Sequence, residues 1–166
     1  MTMLRRAGSF IVATAVVLGW MSAGLPGSAA ADGPFQAMGG NWSGSGQIRF
    51  DGGNAEALKC RAYYTPKDAG ASVGLAIRCA SPSNKIELRA TLTAAGGRVS
   101  GNWEERTFNA MGDVSGQATN TRLNLSIKGG GFSGSMTVGT TGSSQSVLIQ
   151  TEGTGLRSVN INLSRS

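Results

Sequence analysis

The chain has 166 residues, a net charge of +6 and no histidine. The missing histidine excludes Ser-His-Asp and Cys-His nucleophilic sites and every His-ligated zinc, copper or haem centre. With 14% charged residues the basic excess is too sparse for a nucleic-acid-binding domain, and 26 glycines without a collagen period would suggest disorder if the apolar residues did not alternate so regularly.

Residues 1–31 read as an export signal. Arg5 and Arg6 form the positive n-region, Phe10 to Trp20 the apolar core, and Ser28-Ala29-Ala30-Ala31 supplies an A-x-A cleavage site after the Pro26-Gly27 break. The apolar run is too short for a membrane span, and no cysteine follows it to carry a lipid, so the processed protein is expected to be periplasmic or secreted and not membrane-spanning. Cleavage after Ala31 leaves 135 residues with 13 basic and nine acidic side chains, a net charge of +4. That is one compact domain, residues 32–166.

Along that domain the apolar residues alternate in short runs. Trp42, Gly44, Gly46, Ile48 and Phe50 share one face of a first strand, which Asp51-Gly52-Gly53-Asn54 terminates. Next come the two cysteines of the chain. Placing Cys60 opposite Cys79 sets Ala62 opposite Ile77, Tyr64 opposite Leu75 and Leu58 opposite Ser81, so both strands turn their apolar side chains to one face. A slip of one residue would turn one apolar set to water. Cysteine position and hydrophobic pattern therefore agree on a disulfide-stapled hairpin with its tip at Pro66 to Gly70, and on an oxidising compartment.

After the Ser81-Pro82-Ser83-Asn84 turn, Ile86, Leu88, Ala90 and Leu92 alternate. A loop of Ala94-Ala95-Gly96-Gly97 would then set Leu92 opposite Val99, Ala90 opposite Gly101 and Leu88 opposite Trp103. Further strands carry Val114 to Ala118, Leu123 to Ile127, Phe132 to Val138, Val147 to Ile149 and Val159 to Leu163, with Gly129-Gly130 as a two-residue primed turn. About ten short antiparallel strands in one meander predict an all-β barrel, or a sandwich as the alternative. The opposite face reads Ser43, Ser45, Gln47, Arg49, then Lys59, Arg61, then Lys85, Glu87, Arg89, then Arg98, Ser100, Asn102. It lacks the apolar band of an outer-membrane barrel, so the expected barrel is soluble.

Glycine recurs beside an aromatic at strand starts: Gly40-Asn41-Trp42, Gly101-Asn102-Trp103 and Gly131-Phe132. Gly-x-Trp on a first strand resembles the calycin barrels (lipocalins, avidins and relatives), which implies a tryptophan plugging one barrel end. The order Trp42, Cys60, Cys79 is also similar to the small periplasmic metalloprotease inhibitors of calycin type. As a whole the chain resembles short secreted β proteins of alphaproteobacteria.

Catalytic chemistry has little to work with. Both cysteines are committed to the disulfide, adjacent Glu104 and Glu105 point to opposite faces of a strand, and no EF-hand or phosphate loop is present. No catalytic residue, metal site or cofactor is expected. Glu105 turns inward with Trp103, and a buried carboxylate must be paired, lie at a rim or meet a ligand. Trp42, Tyr64, Trp103 and Glu105 are thus the candidate lumen or rim residues, the two tryptophans being expected as plugs. Outside, the disulfide register sets Arg61 opposite Arg78, with Lys85 beside Arg78. Pairing Ile48 with Cys60 would add Arg49 opposite Lys59. Like charges facing each other in a sheet are mildly destabilising, so a stripe of Arg49, Lys59, Arg61, Arg78 and Lys85 suggests an anionic partner: a lipid headgroup, an acidic polysaccharide or an acidic protein surface. The three Asn-x-Ser sequons at Asn41, Asn124 and Asn162 are read as chance in a chain rich in both residues.

The sequence thus leads to an exported, non-enzymatic β-barrel that binds a ligand in its lumen or a partner on its basic wall. The alternative is a calycin-type periplasmic inhibitor or envelope-associated protein acting through its loops or that wall.

Overall fold

The computed structural model describes residues 32–166, so the export-signal reading of residues 1–31 lies outside the described residues. Alternation of side chains draws this segment into ten strands: β1 Gly40–Phe50, β2 Ala55–Lys67, β3 Ser72–Ala80, β4 Lys85–Ala95, β5 Arg98–Glu105, β6 Ala110–Ala118, β7 Arg122–Gly129, β8 Phe132–Thr141, β9 Ser144–Glu152 and β10 Leu156–Arg165. Each pairs antiparallel with its sequence neighbour, and β1 pairs with β10 to close the barrel. The expected barrel is therefore found, and the sandwich is not. Closure removes the unpaired edges that an open meander would leave.

At the seam, β1 approaches β10 closely along Gly44↔Leu163 and Gly46↔Ile161. A Cβ at either glycine would run into the carbonyl oxygens of Asn162 or Asn160, so only glycine fits there. A bulge at Arg49/Phe50 then bends β1 at its far end.

The cysteine hairpin has the expected register, with Cys60↔Cys79, Ala62↔Ile77 and Tyr64↔Leu75, and the disulfide is formed. Three other expected registers are not observed, and in each the turn is shorter or placed differently. Gly96 and Gly97 both have positive φ, +56° and +78°. They make a two-residue turn by themselves, so Ala94 pairs with Val99, Leu92 with Gly101, Ala90 with Trp103 and Leu88 with Glu105. The same conformation falls on Gly130-Gly131 rather than Gly129-Gly130, leaving Gly129 paired with Phe132. At the first turn, Phe50 N–H bonds Asn54 O and Gly53 N–H bonds Phe50 O. That tight turn pairs Ile48 with Glu56 and gives Cys60 the partner Gly44, not Ile48.

The inward faces form one apolar core that runs from Phe35 to Leu163. The disulfide lies within it, Cys60 and Cys79 both being buried. It closes a loop with a sequence separation of 19, which on the chain-entropy account stabilises the fold by about 3 kcal/mol. Reduction, or Cys60→Ser with Cys79→Ser, is expected to lower the unfolding free energy in urea by about that amount. A mass spectrum of the unreduced protein that showed two free thiols would contradict the bond itself.

Candidate functional site

The two ends of the barrel differ sharply in how they are finished. At the end where β1 begins, residues 33–39 fold across the opening. Gly33 N–H bonds Ala69 O at 2.8 Å and Phe35 N–H bonds Gly70 O at 3.1 Å, tying this segment to the β2–β3 loop. A 310 turn, Gln36–Met38, follows. Phe35, Met38 and Trp42 are buried beneath it. The Trp42 indole N–H donates to Met38 O at 2.8 Å, and the Arg165 guanidinium lies 4.4 Å above the ring centroid. Arg165 also donates to Ala37 O at 2.7 Å and to Gly39 O. The last strand thereby clamps the segment that precedes the first.

Just inside this plug runs a buried polar chain. Tyr64 O–H donates to Gln145 Oε1 at 2.7 Å, and Gln145 Nε2 donates to Thr140 Oγ1 at 3.1 Å. Burial pushes the Tyr64 phenol well up, against a smaller opposing effect of its bond to Gln145, so Tyr64 stays a neutral donor. Each of these polar groups has a partner within the protein.

The opposite end is less covered. Its inward side chains, among them Phe50, Ile86, Leu88, Ile127, Phe132 and Leu156, are only partly buried although they pack on the core. Beneath them lies Trp103, 6% exposed, its ring 5.3 Å from Phe132. Small partners across the ladder, Ala90 and Gly112, leave the ring its room. Its indole N–H is buried and has no hydrogen-bond partner among the described residues, a state that costs about 1–3 kcal/mol. Glu105, also buried, is satisfied: its carboxylate accepts from Glu87 N–H at 2.8 Å and from Phe108 N–H at 2.7 Å. Of the ways sequence left open for this carboxylate, the structure gives pairing with backbone amides, and these bonds hold the β5–β6 loop at the rim. The four candidate lumen residues therefore divide, Trp42 and Tyr64 at the plug, Trp103 and Glu105 at the mouth.

The basic wall is also rearranged. Arg61 does face Arg78, but Arg78 then faces Glu87, and Lys85 pairs with Ala80. Arg49 pairs with Ala55, and Lys59 is opposite Ser45. Arg49 therefore leaves the stripe as a consequence of the short first turn. Glu87 Oε1 gathers three arginines, Arg89 at 3.3 Å, Arg78 at 3.4 Å and Arg106 at 3.6 Å. Desolvation alone would raise the Glu87 carboxyl, but the Arg78 charge, hydrogen bonds from Arg89 and Arg78, and the Arg106 charge together hold it below its ordinary value. Between the cations runs an open groove of about 720 Å³, lined by Lys59, Arg61, Arg78 and Lys85, with Ser43 and Ser45 among its short side chains.

Similarity to known proteins bears on the fold alone. No protein-family profile and no curated protein matches the chain. Among solved structures, the barrel is similar to Rv2717c from M. tuberculosis, with a TM-score of 0.63 and 14% identity over 78% of this chain and 93% of that one. It is also similar to the S-type phycobiliprotein lyase CPES from Guillardia theta, with a TM-score of 0.54 and 14% identity over 80% of this chain and 90% of that one. Both likenesses are of the fold, and they fit the barrel that the calycin-like Gly-x-Trp resemblance implies.

Two outcomes follow from this geometry. Trp42→Ala should cost about 3–5 kcal/mol through lost burial and an unfilled cavity, and Arg165→Met only about 0.5–1 kcal/mol, both read from urea unfolding. The Glu87 carboxylate stabilises the fold because its folded value is depressed; the effect is complete above the ordinary value of 4.5 and is lost as pH falls through the lower folded value. Glu87→Gln should therefore lower the urea midpoint at neutral pH and flatten its decline in acid. An unchanged acid slope would show that the three arginines do not hold Glu87.

Proposed function

We propose that the protein is exported, as the secreted alphaproteobacterial β proteins it resembles are, that it binds rather than catalyses, and that it takes an amphipathic small molecule at the open end of its barrel. The observation that carries this reading is the unpartnered indole N–H of Trp103 beneath the partly buried side chains of Phe50, Leu88, Ile127, Phe132 and Leu156. A site built mainly from apolar side chains with one placed polar group fits a ligand with an aliphatic or aromatic body and a hydrogen-bond acceptor. An acceptor brought to that N–H would relieve its unmet desolvation cost.

Binding is favoured over catalysis by the state of the mouth's one buried carboxyl group. Glu105 already accepts two backbone N–H bonds, one on each oxygen, so its carboxylate is engaged in holding the loop. The chain has no histidine to act as a base. The name of the phycobiliprotein lyase belongs to that protein, and its likeness here extends to the barrel. Oxidation of Cys60 and Cys79 within the core supports maturation in an oxidising, extracytoplasmic compartment.

Titration with 1-anilinonaphthalene-8-sulfonate, an amphipathic fluorescent anion, tests the site. The native protein should bind it saturably with a blue shift and with energy transfer from tryptophan. Leu88→Gln should weaken binding about tenfold, because a well-buried apolar contact is worth about 1.5–3 kcal/mol. Trp103→Phe should keep the fold, since it removes an unsatisfied donor, yet weaken the probe. Absence of saturable binding to the folded protein, or binding that neither substitution alters, would overturn the reading.

A further inference from the structure

The wall of β2, β3 and β4 concentrates positive charge beyond what its own carboxylates neutralise. Lys59, Arg61, Arg78, Lys85, Arg89 and Arg106 belong to this wall, and residues 32–166 carry 13 basic residues in all. Three carboxylates stand near them. Glu87 is shared among Arg78, Arg89 and Arg106. Glu104 pairs in register with Arg89. Glu56 is engaged by Ser83, whose hydroxyl lies 2.5 Å from it and whose N–H lies 3.3 Å away. Among the described residues, Lys59, Arg61 and Lys85 lie within salt-bridge distance of no carboxylate.

The facing Arg61–Arg78 pair is mildly destabilising to the sheet by itself. Short side chains make the surface between the cations concave. Ser43 faces Arg61, Ser45 faces Lys59, and Ala80 separates Lys59 from Lys85 across the ladder.

An apolar feature adjoins the groove. Thr107 of the β5–β6 loop lines it, and the next residue, Phe108, is 64% exposed. Met111, at the start of β6, is exposed to the same degree. The loop is not a slack segment. Glu105 holds it through Phe108 N–H, and Arg106 N–H bonds Glu87 O at 3.0 Å. A phenyl ring is thus held out into solvent beside a cationic groove. An acidic polysaccharide or acidic protein would use the charge and meet the ring only as one more surface contact. A bilayer uses both, because cations meet its anionic headgroups while an aromatic side chain enters the headgroup–acyl boundary.

We propose that this wall docks the protein on anionic membrane surfaces, with Lys59, Arg61, Arg78 and Lys85 on the lipid phosphates and Phe108 inserted at the interface. This docking stands whether or not the mouth holds a ligand. The β5–β6 loop is also part of the mouth's rim, so docking would bring that side of the rim to the lipid surface.

The experiment uses the processed protein with its disulfide intact, and vesicles of phosphatidylcholine with or without phosphatidylglycerol. Co-sedimentation should occur with the anionic vesicles at low ionic strength, where the Debye length is about 30 Å, and fail at about 1 M salt, where it is about 3 Å. Vesicles of phosphatidylcholine alone should retain little. Lys59→Ser with Arg61→Ser should weaken partition about 25-fold, near fivefold per cation, while urea stability is unchanged or slightly raised, since among the described residues neither cation has a carboxylate partner to lose. Phe108→Ser should weaken it several-fold with an unchanged circular dichroism spectrum. A parallel column of immobilised polygalacturonate separates the rival partner. Failure to bind anionic vesicles at low salt overturns the proposal, as does vesicle binding indifferent to Phe108. Retention on polygalacturonate stronger than on vesicles would assign the wall to an acidic polysaccharide instead.

Discussion

Once Cys60 and Cys79 are held opposite each other on the inward face, the pleat decides where every neighbouring side chain points. Side chains alternate with period two, so the sulfur atoms, Ala62, Ile77, Tyr64 and Leu75 face the core together. The residues one step along must then face out, which sets Arg61 and Arg78 side by side in solvent. The basic wall is thus the reverse side of the disulfide register. Slipping one strand of the hairpin by one residue would turn Arg61 or Arg78 inward and that strand's apolar set to water, at a cost far beyond any repulsion between exposed arginines. The like-charge pair is tolerated because the alternative is much worse.

The same wall has one end closed by chemistry and one end left partly open. At the closed end, backbone bonds from Gly33 and Phe35, the Trp42 indole bond and the Arg165 clamp all converge on the segment before β1. Inside it, Tyr64, Gln145 and Thr140 satisfy one another. Fully satisfied buried networks stiffen and define a structure. The mouth shows the reverse balance, with apolar side chains only part-covered and a donor without an acceptor. Mobility sufficient to admit a ligand is expected at the end with fewer fixed contacts.

Strand identity and side-chain parity were readable from residues alone, because alternation is a local signal that repeats along each strand. Pairing offsets were less readable. They depend on how few residues a turn consumes, and a run such as Ala94-Ala95-Gly96-Gly97 permits a four-residue or a two-residue loop. Positive φ at Gly96 and Gly97 settles it as two, which moves Trp103 from Leu88 to Ala90. The first turn moved Arg49 off the basic stripe in the same way. The contributions of Arg165, Gln145 and Thr140 left no local trace. Each acts on residues far along the chain, Arg165 on Ala37 and Gln145 on Tyr64. The one available signal was a glutamine at an inward position of a strand, Gln145, which must find a partner when buried. Glu105 gave a similar signal, and its inward direction was correctly legible although its two amide partners were not.

The unmet Trp103 N–H and the facing Arg61–Arg78 pair both depart from local consistency, and they differ in weight. An unmet buried N–H costs about 1–3 kcal/mol, whereas one like-charge pair on a solvated sheet face costs about 0.2–1 kcal/mol. In a domain whose net stability is about 5–15 kcal/mol, the first is a sizeable concession and the second a minor one. Natural sequences keep such inconsistencies chiefly where function requires them. By magnitude, the unpartnered Trp103 is therefore the stronger pointer to a site. The arginine pair gains its force from its surroundings: the short-residue groove, the shared Glu87 and the ring of Phe108 held outward by the same loop that Glu105 fastens. Glu105 thus links the two. Its carboxylate sets the loop that borders the mouth on one side and the cationic groove on the other.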